Sequence, residues 1–358
     1  MHSPEALGIV CGIVYVMSII MSQMPFAKDS NLVSFVIAQA PRLQHSVPSQ
    51  LAMYNAALLS ITLILLLGFV DDVVDLKWRY KLVVPFVAAA PLVAMYTGAT
   101  GIRIPQPLRP LLVSGGEATP LASALQLLGM HVYQPSGELV DMHAWYMLVV
   151  VLLVVFCTNA INIYAGVNGL EAGQALVIGA AMLFTNVFEM WQHPYSDPTW
   201  PHHFSMSLLL PFVGVTWALL YYNWYPADVF VGDTFCYFAG MTLAVSGILG
   251  NYSKTVLLFF SPQIFNFVYS MPQLFGVYPC PRHRLPKFDA ATNTVSPSTF
   301  EYKGKTYANL TLICLVLRIA GPLHERALVL VLMAIQTLAC AAGLWLRYAL
   351  SDIVYDGM

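Results

Sequence analysis

The chain has 358 residues, of which 58% are hydrophobic and only 9% charged, with mean hydropathy +0.68. A soluble domain carries roughly 25% charged residues, so this composition excludes an ordinary water-soluble enzyme and a disordered protein. The net charge of −2 offers no basic field to a polyanion, and no nucleic-acid partner is expected.

A membrane-spanning helix takes about 20 apolar residues. In chain order such stretches lie near 6–24, 51–70, 82–97, 144–161, 173–190, 204–221, 234–250, 255–277 and 327–346. They are continuously apolar, not alternating, which excludes a β-barrel. The expected fold is an all-α polytopic membrane protein of about nine transmembrane helices, a single transmembrane domain over 1–358. The connection 98–143, with Gly115-Gly116, Pro120 and Pro135, reads as a loop holding short strands. The insert 278–326 lies between the last two spans and is polar enough to form a small lobe. The start, Met1-His2-Ser3-Pro4-Glu5, has no basic region of a cleavable signal, so insertion is expected to rest on the spans.

Connections alternate between two membrane faces. The face bearing 71–81, 162–172, 222–233 and 278–326 holds ten Lys/Arg; the other holds six. By the positive-inside rule the first face is cytosolic and 98–143 is luminal. Asn251-Tyr252-Ser253 is a glycosylation sequon on the second face, but it hugs a membrane end and is read as unused. The six cysteines form no CxxC pair and read as apolar packers. The apolar cores are read as free of Asp, Glu, Lys and Arg, which weighs against a proton-coupled transporter or a voltage-gated channel.

Polar residues instead crowd the loops of the first face. Asp71-Asp72 leads to Asp75, Trp78 and Lys81; adjacent carboxylates repel and want a cation. Asp71 and Asp75 share a helix face if the helix continues, while an interfacial run of paired charges is the plainer alternative. Next come Asn159, Asn162, Gly166, Asn168, Gly169 and Glu171. Amide oxygens are hard, neutral ligands suited to Mg²⁺, and three asparagines exceed what a helix cap needs. Asp233, after Phe230-Val231-Gly232, fits a charged metal ligand and a helix N-cap about equally. Arg282-His283-Arg284 suits diphosphate oxygens, with lipid-headgroup anchoring as the alternative. The set lacks a nucleophile elbow, a zinc set and a Walker loop. It fits Mg²⁺-assisted phosphoryl chemistry on a lipid substrate.

Taken in order, Asp71-Asp72 with Lys81, Asn159 to Glu171, Phe230 to Thr234 and Pro281-Arg282-His283-Arg284 carry a resemblance. They resemble the polyprenyl-phosphate sugar-1-phosphate transferases, and in particular the eukaryotic UDP-N-acetylglucosamine–dolichyl-phosphate N-acetylglucosaminephosphotransferases. The similarity runs from about Pro4 through Gly321-Pro322-Leu323-His324-Glu325-Arg326 to the C-terminus. It implies transfer of GlcNAc-1-phosphate from UDP-GlcNAc to dolichyl phosphate in the endoplasmic reticulum membrane, with Mg²⁺ and a site facing the cytosol. By motif position it implies Asp71, Asp72 and Lys81 as catalytic residues, and Asn162 and Asp233 as metal ligands. Glu5, Gly166, Asn168, Phe230, Arg282, His283 and Arg284 would bind UDP-GlcNAc. Lys81, Trp78, Thr158, Asn159, Ile161 and Asn162 would bind dolichyl phosphate.

Implied partners are the two substrates and membrane lipid, and the resemblance is compatible with a homodimer. Family members open with one more membrane helix than this chain, so the first transmembrane helix is expected to be lacking here. Position 75 is Asp where the family usually has Asn, and 191–203 looks longer than usual. A sister transferase with another substrate, an inactive truncated paralogue, or a lipid or nucleotide-sugar transporter remains open on sequence.

Overall fold

The computed structural model describes residues 6–28, 47–74, 78–133, 136–192, 199–281 and 284–350. Glu5, Asp75, Arg282, His283 and the Trp78 side chain lie outside the described parts. The larger helices are α1 (Gly8–Lys28), α2 (Val47–Val74), α3 (Trp78–Met95), α5 (Ala144–Ile163), α6 (Leu170–Gln192), α7 (Thr199–Asn223), α8 (Gly232–Leu249) and α12 (Glu325–Ala349). Short helices are α4 (Pro120–Leu127), α9 (Ser253–Phe259), α10 (Ser261–Leu274) and α11 (Leu312–Ala320). Among the described residues, six helices are long and apolar enough to cross a membrane, and Gly8–Ser22 and Val83–Met95 are shorter apolar helices. The chain is a multi-pass membrane protein.

α8 is the central post. Every residue of it except Asp233 is buried, whereas its neighbours keep lipid-facing flanks such as Leu66, Trp217 and Leu338. Because lipid tails are as apolar as leucine, close van der Waals packing and internal hydrogen bonds must hold such a bundle. Two glycines supply the closeness. A β-carbon at Gly68 of α2 would fall 2.8 Å from Thr234 Cα, and one at Gly240 of α8 would fall 2.5 Å from Thr158 Cα. These contacts place the ends of α2 and α5 beside the start of α8.

The expected eighth span, 255–277, is not one helix. It breaks at Phe260 into α9 and α10, with Pro262 in the first turn of α10. Proline lacks the N–H that a continuous helix would need there. Exposed backbone is costly at membrane depth, and here it is covered: Gln336 Nε2 donates to Phe259 O at 2.8 Å. Gln263 Nε2 bridges Gln336 and Gln174, at 2.7 Å each, and Gln174 reaches Tyr164 O at 2.8 Å. A buried amide chain thus runs from the helix break to the end of α5.

Apolar cores without ionisable residues were also expected, and Glu189 corrects this. It lies inside the span read as 173–190 and is tolerated because Arg347 meets it at 2.6 Å, with Tyr348 Oη donating to it at 3.1 Å. Arg347 also donates to Thr255 at 2.7 Å, so the pair ties α6, α9 and α12. Removing one partner of a mostly buried pair strands the other charge. Arg347→Met is expected to cost about 2–3 kcal/mol. Adding Glu189→Gln should return part of that loss, read as melting temperature in a double-mutant cycle.

The two polar inserts fold as expected in kind. In 98–143, β1 (Gly101–Arg103), β5 (Leu139–Asp141) and β4 (His131–Val132) form an antiparallel sheet in that order, beside the hairpin of β2 (Val113–Ser114) and β3 (Glu117–Ala118). In 278–326, the hairpins β6 (Lys287–Asp289)/β7 (Thr294–Ser296) and β8 (Thr299–Tyr302)/β9 (Lys305–Ala308) precede α11. Val295, Leu312, Leu317 and Leu328 share a core with Tyr164, Val167 and Leu170, which seats this lobe on the loop after α5. The described cysteines are all free thiols, four of them buried.

Candidate active site

The site forms where α2, α3, α5 and α8 end on one face. Lys81 stands near its centre: Nζ lies 2.7 Å from Asp233 Oδ2 and 2.9 Å from Asp71 Oδ2. Burial works against its charge, but the hydrogen bonds to Asp233 and Asp71 outweigh burial and hold its pKa above the ordinary lysine value. Asp71 is buried, whereas the Asp233 side chain is 32% exposed. Asp233 and Lys81, the latter 23% exposed, are therefore the members of this trio that a solute can reach.

Asp72 faces a different task from its neighbour. Its Oδ1 accepts from Asp233 N at 2.7 Å, and its Oδ2 accepts from Thr234 N at 3.0 Å and from Thr234 Oγ1. An anion on the free amides of a helix start is favourable through both hydrogen bonds and the helix dipole. The sequence left Asp233 open as an N-cap; the cap comes instead from Asp72 on α2. With both oxygens so engaged, Asp72 braces the start of α8. Asp72→Ala is expected to cost about 1–2 kcal/mol, and thermal unfolding of Asp72→Asn should fall between it and the wild type.

Asn162 is half-buried in the last turn of α5. From the Thr158–Gly240 contact, Asn162 lies four residues up α5 and Asp233 seven residues up α8, so both surface within about 5 Å in height. Asn159 is half-buried, and its Nδ2 donates to Val155 O at 2.8 Å. Thr158 and Ile161 sit deeper than Asn159 and Asn162. Both are 0% exposed, and the Thr158 hydroxyl donates to Val154 O at 2.8 Å within its own helix. They lie on the side of α5 that meets α8 and the core.

The loop after α5 turns at Gly166 and Gly169, where φ is 121° and 86°. Those values suit glycine alone among unstrained residues. Gly166 N donates to Glu171 Oε1 at 2.9 Å, Asn168 N to Glu325 Oε1 at 2.8 Å, and Gly169 N to Asn223 Oδ1 at 2.8 Å. Phe230 is 56% exposed at the mouth of the next loop, and its carbonyl accepts from Leu7 N at 3.0 Å. Arg284 is bound to the protein: it donates to Ser270 Oγ and, at 2.9 Å, to Leu310 O. Burial lowers its pKa, and its Nε is buried without a partner. Arg284 therefore fastens the 278–326 lobe to α10. Asn223, Glu325 and Ser270 are residues of this site that sequence reasoning gave no role; only their places at helix ends hinted at one.

All four loops of the first face are thus joined. Residues 71–81 meet 222–233 through Lys81–Asp233, 162–172 meets 222–233 through Gly169–Asn223, and 162–172 meets 278–326 through Asn168–Glu325. The cluster is acidic with a lysine inside it, and it opens where Asp233, Asn162 and Asn168 are only part-buried.

Residues 54–251 match the profile of glycosyl transferase family 4. Over 96% of this chain, a Dictyostelium discoideum protein named UDP-N-acetylglucosamine–dolichyl-phosphate N-acetylglucosaminephosphotransferase is 41% identical, and the match spans 77% of that protein. Proteins of the same name from Schizosaccharomyces pombe and Leishmania amazonensis are each 36% identical. Those matches cover 98% and 99% of this chain, and 83% and 80% of theirs. The matched segment carries Asp71, Lys81, Asn162, Asn168 and Asp233 together, and on this similarity the chain belongs to glycosyl transferase family 4.

Proposed function

We propose that the protein transfers N-acetylglucosamine 1-phosphate from UDP-N-acetylglucosamine to dolichyl phosphate. The products are GlcNAc-diphosphodolichol and UMP, the first step towards the lipid-linked oligosaccharide of protein N-glycosylation. The name shared by the relatives supports the reaction. The observation that brings it to this chain is the Lys81 ammonium held between Asp71 and Asp233 beside the amide end of α5. The ten-to-six bias of Lys/Arg supports a cytosolic site, and the reaction itself supports the endoplasmic reticulum as the membrane.

The residues present fit a magnesium ion. Among the described residues no cluster of three or more His, Cys, Asp or Glu could hold a metal alone. Asp233 and Asn162 offer one carboxylate and one amide oxygen. Mg²⁺ is commonly bound by one or two carboxylates with substrate phosphates completing its shell. When bound, it would neutralise the diphosphate charge that builds up on transfer.

The remaining work falls to the chain. Lys81 presents a point charge to phosphate oxygens, and Asp71 holds it in place from the buried side. Asp72 fixes the start of α8, and so the position of Asp233. The dolichyl phosphate oxygen attacks the sugar-bearing phosphorus, a new P–O bond forms, and the bond to UMP breaks. That phosphate monoester is already largely ionised near neutral pH (second pKa about 6), so alignment matters more than a base. Asn168 and Phe230 would bind the uridine end. Arg282 and His283 of the 278–326 insert would bind the sugar phosphate, as their motif implies.

Purified protein in detergent, given UDP-GlcNAc, dolichyl phosphate and Mg²⁺, should form GlcNAc-diphosphodolichol and UMP and stop on chelation. No lipid diphosphate product would overturn the reaction, and full turnover in chelator would remove the metal.

A further inference from the structure

The loop 164–169 makes few regular backbone bonds of its own, yet three of its amides are satisfied by side chains of three different helices. Glu171 comes from α6, Asn223 from α7 and Glu325 from α12. Two of these acceptors are carboxylates, and Glu171 feels the negative charge of both Glu325 and Asp233. Crowding acidic groups is costly, and neutral acceptors would stabilise the loop without that cost. The arrangement makes sense if the geometry of the loop, held by strong charge-assisted bonds, matters more than stability.

Two further contacts show what is being held. Asn223 is 2% exposed, and while its Oδ1 accepts from Gly169 N, its Nδ2 donates to Val229 O at 2.9 Å. One amide thus spans the loop of Asn162 and Asn168 and the loop that leads to Asp233. At the start of α12, Glu325 holds the first of these loops, and its neighbour Arg326 donates from Nε to Tyr225 O of the second at 2.8 Å. The same two loops are therefore bridged twice, once from within by Asn223 and once from α12 by consecutive residues.

We infer that Asn223 and Glu325 are positioning residues that set the gap between the Asn162–Asn168 loop and the Asp233 loop, and with it the fit of the nucleotide sugar. This rests on the function proposed above for its substrate class. The acceptor lipid phosphate, held by Lys81 on the α2–α3 side, depends on this gap much less. The last helix and the 278–326 lobe thereby become part of donor recognition although neither residue touches the donor.

The test uses the full chain in detergent with UDP as the binding probe, alongside KM for each substrate. Glu325→Ala leaves the Asn168 amide without its acceptor, and UDP affinity should weaken about tenfold. KM for UDP-GlcNAc should rise in parallel while KM for dolichyl phosphate moves less than about threefold, within one weak hydrogen bond. Glu325→Gln keeps an acceptor oxygen and should restore most of the affinity. Hydrogen exchange at Asn168 should quicken about tenfold or more in Glu325→Ala.

Unchanged UDP affinity and exchange in Glu325→Ala would overturn the inference. So would equal impairment in Glu325→Gln, or a rise in both KM values together. If Glu325→Ala does not fold, Asn223→Asp decides the matter. It keeps the bond to Gly169 but sets a carboxylate against the Val229 carbonyl, and the same split of KM values is expected; unaltered KM values would refute the role. A wild-type protein that binds no UDP overturns the proposed function, and the exchange measurement then still judges the clasp.

Discussion

Asp233→Asn lowers turnover by about a thousandfold, equivalent to roughly 4 kcal/mol of lost transition-state stabilisation, while the protein melts within a few degrees of wild type. The substitution keeps shape and removes one charge. The fold does not need that charge: the Asp233 side chain is 32% exposed, and Lys81 retains Asp71 at 2.9 Å. Its amide still donates to Asp72, so the start of α8 stays braced. A part-exposed ion pair contributes about 0–1 kcal/mol to stability. Chemistry is another matter, because Asp233 is an accessible carboxylate beside Lys81 and at about the height of Asn162, and a neutral oxygen is a much weaker partner for a divalent cation with a diphosphate. Turnover and melting temperature measured on the same preparation check this. Wild-type turnover would remove Asp233 from the reacting centre, and a large fall in melting temperature would recast it as structural.

Much of this architecture is legible in the sequence because lipid imposes long apolar runs and charge is scarce. Scarcity singles out Asp71, Lys81 and Asp233, and the structure joins those three in one ion-paired cluster. What the sequence does not show has a common cause: local spacing does not say which neighbour a side chain will meet. Asp72 follows Asp71 directly, yet one carboxylate grips Lys81 and the other caps a helix 161 residues away. Thr158 and Ile161 stand in a motif of polar helix-end residues but face the core, because Gly240 draws α8 onto that side of α5. The break at Phe260 is hidden because the stretch stays apolar, and Gln336, which covers it, lies 77 residues further on. Glu189 stands openly in the stretch 173–190, and only its partner Arg347, 158 residues away, explains how it is tolerated there.

The α5–α8 contact sets up the second large effect: Gly240→Val abolishes both folding and activity. A β-carbon at Gly240 would press on the Cys157 carbonyl and lie 2.5 Å from Thr158 Cα. Both are backbone, so no rotamer change can give way, and the added methyl groups of valine extend the clash. α8 cannot step aside either, since it is buried along nearly its whole length by the surrounding helices. The helices must part, at a cost of about 3 kcal/mol or more. Parting them also moves Asn162 away from Asp233, because both positions are carried by the two helices that touch at this point. Gly214 of α7 provides the contrast, for a β-carbon there meets nothing within 4 Å. Gly214→Ala should leave turnover unchanged and stabilise the helix by up to about 1 kcal/mol. Size-exclusion profiles, melting temperature and turnover for the pair separate the contact from glycine content in general. A folded, active Gly240→Val protein would show that α5 and α8 can separate without disturbing the site, and the close approach would then lose its claim to place Asn162 beside Asp233.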